Sequence, residues 1–279
     1  MAAEFVLLNY VQWTISPVIA DLEIFALRWY SLLFTTGILL SYFIVRQQFK
    51  RAKLPDEAFE SLVLHVLIGM IAGMRLGHFL FYEPHVFLER PLEILLPFSF
   101  TPELHFTGYQ GLASHGGALG VLVGLWLFSR KYTNVSAWWI LDQLAFVTPL
   151  LGVFIRLGNL FNSEMIGHTT TVPWAFVFSS VDLIPRHPAQ LYEAISYLLI
   201  FVGIFIWKSS ANKLPSGLLF SQLLIWLFSA RFVVEFFKIN QVAFESNFIL
   251  NMGQLLSLPF VIIGIILYYS RRNSSIATS

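Results

Sequence analysis

The sequence contains no cysteine. This absence excludes disulfide bonds, thiolate metal sites and a cysteine nucleophile, so any thiol chemistry has to come from a substrate. Charged residues are also scarce, since they make up 12% of the chain, against about 25% in an ordinary soluble domain. The formal net charge of +1 provides no basic field for nucleic acid, and we expect no nucleic-acid partner.

Two sequence signals are missing as well. The N-terminal segment Met-Ala-Ala-Glu-Phe has no basic residue, and the first cation is Arg28. We therefore expect no cleaved secretory signal and predict that the first long apolar run is an uncleaved anchor. The histidines show no metal-ligand spacing, and no His-Glu-x-x-His pattern occurs, so the sequence predicts no metal site and no cofactor.

Long apolar runs, by contrast, dominate the chain. Hydrophobic residues make up 57% of it, and the mean hydropathy is +0.71. Seven runs approach the roughly twenty residues that a bilayer core requires; they lie near 24–45, 60–82, 113–129, 136–155, 189–207, 216–237 and 251–270. The sequence therefore predicts an all-α polytopic membrane protein with seven transmembrane helices, in which residues 1–279 form a single domain.

The basic residues between these runs predict their orientation. Ten of the 17 basic residues fall on one predicted side: Arg46, Lys50, Arg51, Lys53, Arg130, Lys131, Lys208, Lys213, Arg271 and Arg272. By the positive-inside rule that side is cytoplasmic, so we expect the N-terminus outside and the C-terminus in the cytoplasm.

The two longest connecting segments lie on the predicted outer side. Residues 83–112 carry four prolines among apolar residues, which predicts membrane-lying arm helices broken by turns. Residues 156–188 include a β-like run at 174–178, which predicts a small extracytoplasmic lobe. Function is therefore expected toward the outer face.

The most informative stretch is 155–167, Ile-Arg-Leu-Gly-Asn-Leu-Phe-Asn-Ser-Glu-Met-Ile-Gly. A lone arginine at the end of a hydrophobic helix can simply snorkel to the lipid headgroups. Here, however, one helical face can carry Arg156, Asn159 and Asn162, and Glu164 follows them. Because polar groups are costly near the membrane, their clustering indicates a site.

A histidine opens the third predicted span. His115 precedes Gly116 and Gly117, so a ligand headgroup could approach it closely, and an imidazole with a pKa of about 6.5 is a common general base. The alternative is a histidine that only caps a helix packed through its glycines. The residues alone leave both readings open.

Three carboxylates inside predicted helices also have alternative readings. Glu193, in the motif at 186–193, is costly in lipid unless it faces the bundle, where it can serve a site or join helices. Glu235 can pair with Arg231 four residues before it, or both can serve a site. Asp142 is expected to make a polar contact within the bundle.

Together these motifs resemble the bacterial prolipoprotein diacylglyceryl transferase family. The similarity rests on four patterns in the order of the family: His-Gly-Gly at 115–117, Arg-x-Gly-Asn-x-x-Asn-x-Glu-x-x-Gly at 156–167, Arg-His-Pro-x-Gln-x-Tyr-Glu at 186–193 and Arg-x-x-Val-Glu-Phe-Phe at 231–237. The resemblance implies a seven-helix enzyme of the bacterial inner membrane. It would move the diacylglyceryl group of phosphatidylglycerol to the lipobox cysteine in a prolipoprotein signal peptide, forming a thioether and glycerol phosphate.

The resemblance also implies roles for single residues. Arg156 and Arg231 resemble essential arginines of the family, and His115 resembles its functional histidine, so these three are the predicted catalytic residues. The predicted phosphatidylglycerol-binding residues are Arg156, Tyr30, Asn159, Asn162, Glu164, Glu235, Arg75 and Gly167. The sequence departs from the commoner family pattern at His78, Ser114 and Leu227.

The predicted mechanism is displacement of a phosphodiester by a thiol. Paired guanidiniums at Arg156 and Arg231 would stabilise the leaving phosphate, while His115 would help to form the thiolate. A membrane transporter or carrier for an anionic lipid is the alternative, but the sequence has no internal repeat of the transporter kind. An intramembrane hydrolase would need an activated nucleophile, and Ser114 beside His115 has no further triad partner.

Overall fold

The structure is a computed structural model. It describes residues 10–22, 26–96, 98–100, 103–106, 113–211, 214–239 and 250–273, most of which are helical. Contacts within the chain define two compact units: a larger unit made of residues 1–47 and 138–278, and a smaller unit made of residues 48–137.

The described helices are, in chain order, α1 (Trp29–Arg51), α2 (Asp56–Tyr82), α3 (Val86–Glu89), α4 (Pro91–Leu95), α5 (Ser114–Lys131), α6 (Ala137–Phe161), α7 (Ala189–Ser210), α8 (Leu218–Glu235) and α9 (Met252–Arg271). The described strands are β1 (Val11–Trp13), β2 (Val18–Asp21), β3 (Ala26–Arg28), β4 (Phe98–Ser99), β5 (His105–Phe106), β6 (Phe176–Phe178) and β7 (Pro185–Arg186).

Six of these helices, α1, α2, α6, α7, α8 and α9, are long and apolar enough to cross a membrane. The protein is therefore a mostly helical, multi-pass membrane protein. The run predicted at 113–129 forms α5, which has 18 residues with Ser114 and His115 at one end and Arg130 and Lys131 at the other. Because these polar ends shorten its apolar stretch, α5 is not one of the six, and the count of seven spans stays a prediction.

In the smaller unit, α2 and α5 pack through glycines. A Cβ atom added to Gly69 would lie 2.3 Å from the carbonyl oxygen of Gly120, and one added to Gly116 would lie 2.1 Å from that of Gly73. No side chain fits at these distances, so the two backbones touch. The glycine face expected on α5 is confirmed as a packing surface.

The predicted arm at 83–112 begins with the short helices α3 and α4 of the smaller unit, and Pro91 stands at the first position of α4. Proline suits that position because its fixed φ is already helical and its missing N–H would have no partner there. Short helices in the arm are thus confirmed, whereas their position in the membrane stays a prediction.

In the larger unit, a carboxylate on α6 binds backbone N–H groups at the start of α8. The buried side chain of Asp142 accepts hydrogen bonds from the backbone N–H groups of Gly217 at 2.7 Å and Phe220 at 2.9 Å. N–H groups at a helix start have no partner within the helix. Asp142 therefore caps a neighbouring helix, which confirms the expected polar contact in the bundle.

A small sheet lies beside the end of α6. Strand β6 pairs in parallel with β1 and antiparallel with β7, which confirms the strand predicted within 174–178. The ring of Trp13 on β1 lies 5.5 Å from that of Phe161, the last residue of α6. The sheet therefore packs where the polar stretch begins, while its extracytoplasmic position stays a prediction.

Candidate active site

Glu193 is at the centre of a buried ionic network in the larger unit. Its side chain, on α7, is fully buried, and its Oε1 atom lies 3.1 Å from Nζ of Lys238. Its Oε2 atom lies 2.8 Å from Nε of Arg156 on α6, an ion pair in which the N–H does not point along a hydrogen bond. The hydroxyl of Tyr197 donates a hydrogen bond of 3.3 Å to Oε1. One carboxylate thus holds two cations from two other parts of the chain.

Lys238 joins this centre to a second carboxylate. Its Nζ atom lies 3.2 Å from Oε2 of Glu235, the last residue of α8. The start of α9 packs against the same glutamate, because a Cβ atom added to Gly253 would lie 2.4 Å from the Glu235 Cδ atom. The side-chain amide of Asn251 donates to the Glu235 carbonyl at 3.4 Å. Four chain segments therefore meet around two buried carboxylates.

The asparagines of the polar stretch extend the network from Arg156. Nη1 of Arg156 donates to Oδ1 of Asn159 at 3.2 Å, and Nδ2 of Asn159 donates to Glu164 at 3.2 Å. Asn162 donates to the other oxygen of Glu164 at 3.3 Å. The structure thus connects the four polar residues that the sequence singled out in 155–167, and Glu164 unites the two asparagines.

The chain turns sharply after the end of α6, and this turn brings Glu164 beside the two asparagines. Helix α6 ends at Phe161, and Ser163 and Met165 both have a φ of 55°. This left-handed conformation is uncommon for residues with a side chain. The side-chain amide of Gln190 donates to the Glu164 carbonyl, which ties the reversal to the start of α7. The site therefore uses a sharp turn and not only the helical face that the spacing predicted.

Backbone hydrogen bonds hold the next residues of the turn. The N–H of Gly167 donates to the His187 carbonyl at 2.9 Å, and the N–H of His168 donates to the Phe237 carbonyl at 2.8 Å. A Cβ atom added to Gly167 would lie 2.5 Å from the Phe237 oxygen and 2.6 Å from the His187 Cβ atom. Gly167 is thus needed for close packing of three segments, whereas its predicted contact with lipid stays a prediction.

Comparison with known proteins identifies the family. The model of the family described as prolipoprotein diacylglyceryl transferase matches residues 17–270. The chain belongs to this family. A protein from Bacteroides fragilis, named phosphatidylglycerol--prolipoprotein diacylglyceryl transferase, is 46% identical over 273 residues, which cover 96% of this chain and 98% of the relative. A protein of the same name from Tolumonas auensis is 41% identical over 255 residues, which cover 91% and 95% of the two chains. Family membership makes the protein a transferase.

In this diacylglyceryl transferase, Tyr30 lies against the polar stretch. Its ring occupies the space beside Gly158, where an added Cβ atom would come within 2.7 Å of the ring. The hydroxyl interacts electrostatically with Glu164 and Arg156. The structure therefore brings Tyr30, from the start of α1, to the same network as the residues of α6.

Arg231 differs from Arg156 in its surroundings. It lies one turn before Glu235 on α8 and interacts electrostatically with Tyr197. Within the described ranges, Arg231 makes no ion pair and no hydrogen bond, and Glu235 pairs with Lys238 instead. The pairing of Arg231 with Glu235, which the spacing allowed, is thus not formed.

Arg75 belongs to the smaller unit of the transferase. Its Nε atom donates to the Ile94 carbonyl at 3.1 Å, its Nη2 atom donates to the Glu93 carbonyl, and its guanidinium lies 4.8 Å from the centre of the Phe79 ring. Because it binds two backbone carbonyls near the end of α4, Arg75 anchors the arm helix to α2. Its predicted contact with phosphatidylglycerol stays a prediction.

His115 stands at the second position of α5 in the smaller unit. The structure describes its backbone there, and its side chain lies outside what is described. Its predicted catalytic role is therefore untested by the geometry.

His187 precedes α7 beside the Gly167 turn. Its Nδ1 atom lies 3.0 Å from the Tyr192 hydroxyl, which also accepts a hydrogen bond of 2.8 Å from Nε1 of Trp174. Burial, and secondly the neighbouring His168, lower the pKa of His187 below its ordinary value. The ring is therefore neutral at neutral pH and adds no positive charge beside the turn.

The site residues predicted from the sequence do not include three members of the network: Lys238, Glu193 and Tyr197. Glu193 carried a signal, since a carboxylate inside an apolar helix needs a partner. Lys238 follows Glu235 by three residues, a spacing at which side chains meet on a helix. Tyr197 had no such signal, because a tyrosine in an apolar helix is common at the edge of a membrane.

Proposed function

We propose that the protein transfers the diacylglyceryl group of phosphatidylglycerol to the thiol of the lipobox cysteine in the signal peptide of a prolipoprotein. The products are a thioether-linked prolipoprotein and glycerol phosphate. The names of the relatives specify this donor and this class of acceptor. The protein acts in the bacterial inner membrane with seven spans and an extracytoplasmic N-terminus, and both substrates reach the site through the bilayer.

The position of Arg156 is the observation that supports this proposal most strongly. Glu193 holds its Nε atom and Asn159 accepts from Nη1, while 14% of the side-chain surface stays accessible. A guanidinium has five N–H donors, more than these partners and the neighbouring Tyr197 engage. A planar group with donors to spare binds phosphate bidentately, and one that is already held in place needs no reorganisation when charge develops.

The chemistry follows from the two substrates. The thiolate sulfur attacks the diacylglyceryl carbon that is bonded to the phosphate oxygen. The carbon–sulfur bond forms, and the bond between that carbon and the phosphate oxygen breaks, with its electrons leaving on the oxygen of glycerol phosphate. Negative charge grows on the departing glycerol phosphate, where Arg156 and Arg231 stabilise it. Arg231 suits this role because no described carboxylate neutralises it.

The remaining residues bind the lipid or move the proton. His115 takes the proton of the thiol, because a thiol with a pKa of about 8.5 is only a few per cent ionised at pH 7. The proposed phosphatidylglycerol-binding residues, besides Arg156, are Tyr30, Arg75, Asn159, Asn162, Glu164, Gly167 and Glu235.

A reconstituted assay tests the proposal. Purified protein is mixed with phosphatidylglycerol and a lipobox peptide. The release of glycerol phosphate is measured, and the mass of the peptide is determined by mass spectrometry. A peptide with serine in place of the cysteine is the matched control. Transfer predicts release only with the thiol peptide, together with a mass gain of one diacylglyceryl group. Release without the thiol would instead indicate a hydrolase, and lipid binding without release would indicate a carrier.

A further inference from the structure

We infer that Lys238 is a positioning residue, which holds Arg156 through Glu193 and keeps the lipid-binding region free of excess negative charge. This inference rests on the proposed function, because it assigns Lys238 to the binding of the anionic lipid. Lys238 is 3% exposed, and its ammonium contacts Glu193 at 3.1 Å and Glu235 at 3.2 Å. It therefore acts through these carboxylates and does not touch substrate.

The backbone places Lys238 at this point. Lys238 forms an antiparallel bridge with Gly167, and its neighbour Phe237 accepts a hydrogen bond of 2.8 Å from the N–H of His168. The end of α8 is thus bound to the turn that follows α6. Because both ends of the contact are held, the ammonium has a defined position between the two glutamates.

The charges of the four side chains that meet at Glu193 and Glu235 balance only when Lys238 is present. Arg156 and Lys238 supply two positive charges, and Glu193 and Glu235 supply two negative charges. Removal of the ammonium leaves one unpaired negative charge beside Arg156, at a depth where screening by salt is weak. The phosphodiester of the lipid brings a further negative charge to the same arginine. Loss of Lys238 should therefore weaken binding of the anionic lipid. Binding of the lipobox peptide, whose reacting thiol is uncharged, should change little.

Kinetics of the whole enzyme can test this role. Lys238→Met removes the charge at similar length, and Lys238→Arg keeps the charge. Lys208→Met is the matched control, since Lys208 donates to Gln143 at 3.0 Å elsewhere in the same unit. For each variant, kcat, the KM for phosphatidylglycerol, the KM for the peptide and the unfolding temperature in detergent are measured.

The expected result is a split between the two substrates. Lys238→Met should raise the KM for phosphatidylglycerol about tenfold or more, as a buried unit charge near the phosphate implies, and change the KM for the peptide less than about twofold. Lys238→Arg should keep most of the wild-type affinity for the lipid, and Lys208→Met should match the wild type. Equal changes in both KM values, or a Lys238→Arg variant no better than Lys238→Met, would overturn the inference.

Binding of phosphatidylglycerol without peptide separates this inference from the proposed function. Among the folded variants, the order of affinities for phosphatidylglycerol should match the order expected from the KM values, whatever reaction follows. A wild type that binds the lipid without transfer would refute the proposed function and leave the Lys238 pattern to be judged from binding alone. If Lys238→Met does not fold, Lys238→Gln carries the test: loss of the positive charge should weaken lipid binding relative to Lys238→Arg, and unchanged binding would overturn the role.

Discussion

Replacing Arg156 by lysine tests the site most directly. The guanidinium reaches Glu193 from Nε at 2.8 Å and Asn159 from Nη1 at 3.2 Å, and a single ammonium cannot occupy both positions. The variant loses either the ion pair with Glu193 or the hydrogen bond that the charged guanidinium donates to Asn159, and a hydrogen bond of a charged group is worth about 1.5–3 kcal/mol. It also loses the planar fork for phosphate. We therefore expect kcat/KM to fall by about 10²–10³, the usual cost of one removed donor to a developing charge.

The measurement is thiol-dependent release of glycerol phosphate by purified Arg156→Lys. Arg186→Lys is the matched control, because Arg186 has the same 14% side-chain exposure and pairs with Asp182 at 2.6 Å outside the network. The control should stay within about threefold of the wild type, because its ion pair lies outside the network that holds Arg156. Near-normal turnover by folded Arg156→Lys would refute the argument, since a positive charge alone would then suffice.

Three further outcomes are expected. Because the native chain has no cysteine, Thr170→Cys should react with an impermeant thiol reagent in intact cells while Ser209→Cys should not, and labelling of Ser209→Cys would reverse the topology. His115→Gln should be severely impaired near pH 7 but approach the wild type near about pH 9, where the substrate thiol ionises unaided; a constant ratio would reject the general base. Hydrogen bonds from Arg186 hold the pKa of Asp182 below its usual range, so the pair stabilises the fold above about pH 4 and less as pH falls. The unfolding temperature of Asp182→Asn should thus be lower than that of the wild type at pH 6, and the gap should narrow as the pH falls below about 4; a gap that does not narrow would contradict this assignment.

The sequence predicted the broad architecture well because membrane insertion depends on composition and length. A run of about twenty apolar residues forms a helix in lipid whatever its neighbours are. The six candidate spans of the structure correspond to predicted runs, and only the shorter 113–129 run stays unassigned as a span. The strand within 174–178 was also predictable, since its β-propensity is local.

The polar stretch at 155–167 shows what a local sequence pattern can predict and what it cannot. Its clustering pointed to a site, and Arg156, Asn159, Asn162 and Glu164 do form one network. The spacing could not reveal the turn after Phe161, however, because the left-handed residues Ser163 and Met165 carry no glycine signal.

What the sequence by itself determined is the class of protein, its family and the residues whose polarity is costly in a membrane. What only the tertiary structure decided is how those charges pair. Glu193 and Lys238 lie 45 positions apart in the chain but 3.1 Å apart in space. Glu235 pairs with Lys238, three residues after it, and not with Arg231, four residues before it. Pairing depends on which helix ends meet, and backbone contacts such as the bridge between Gly167 and Lys238 set that meeting. Those contacts arise from packing between distant segments, so no local pattern encodes them.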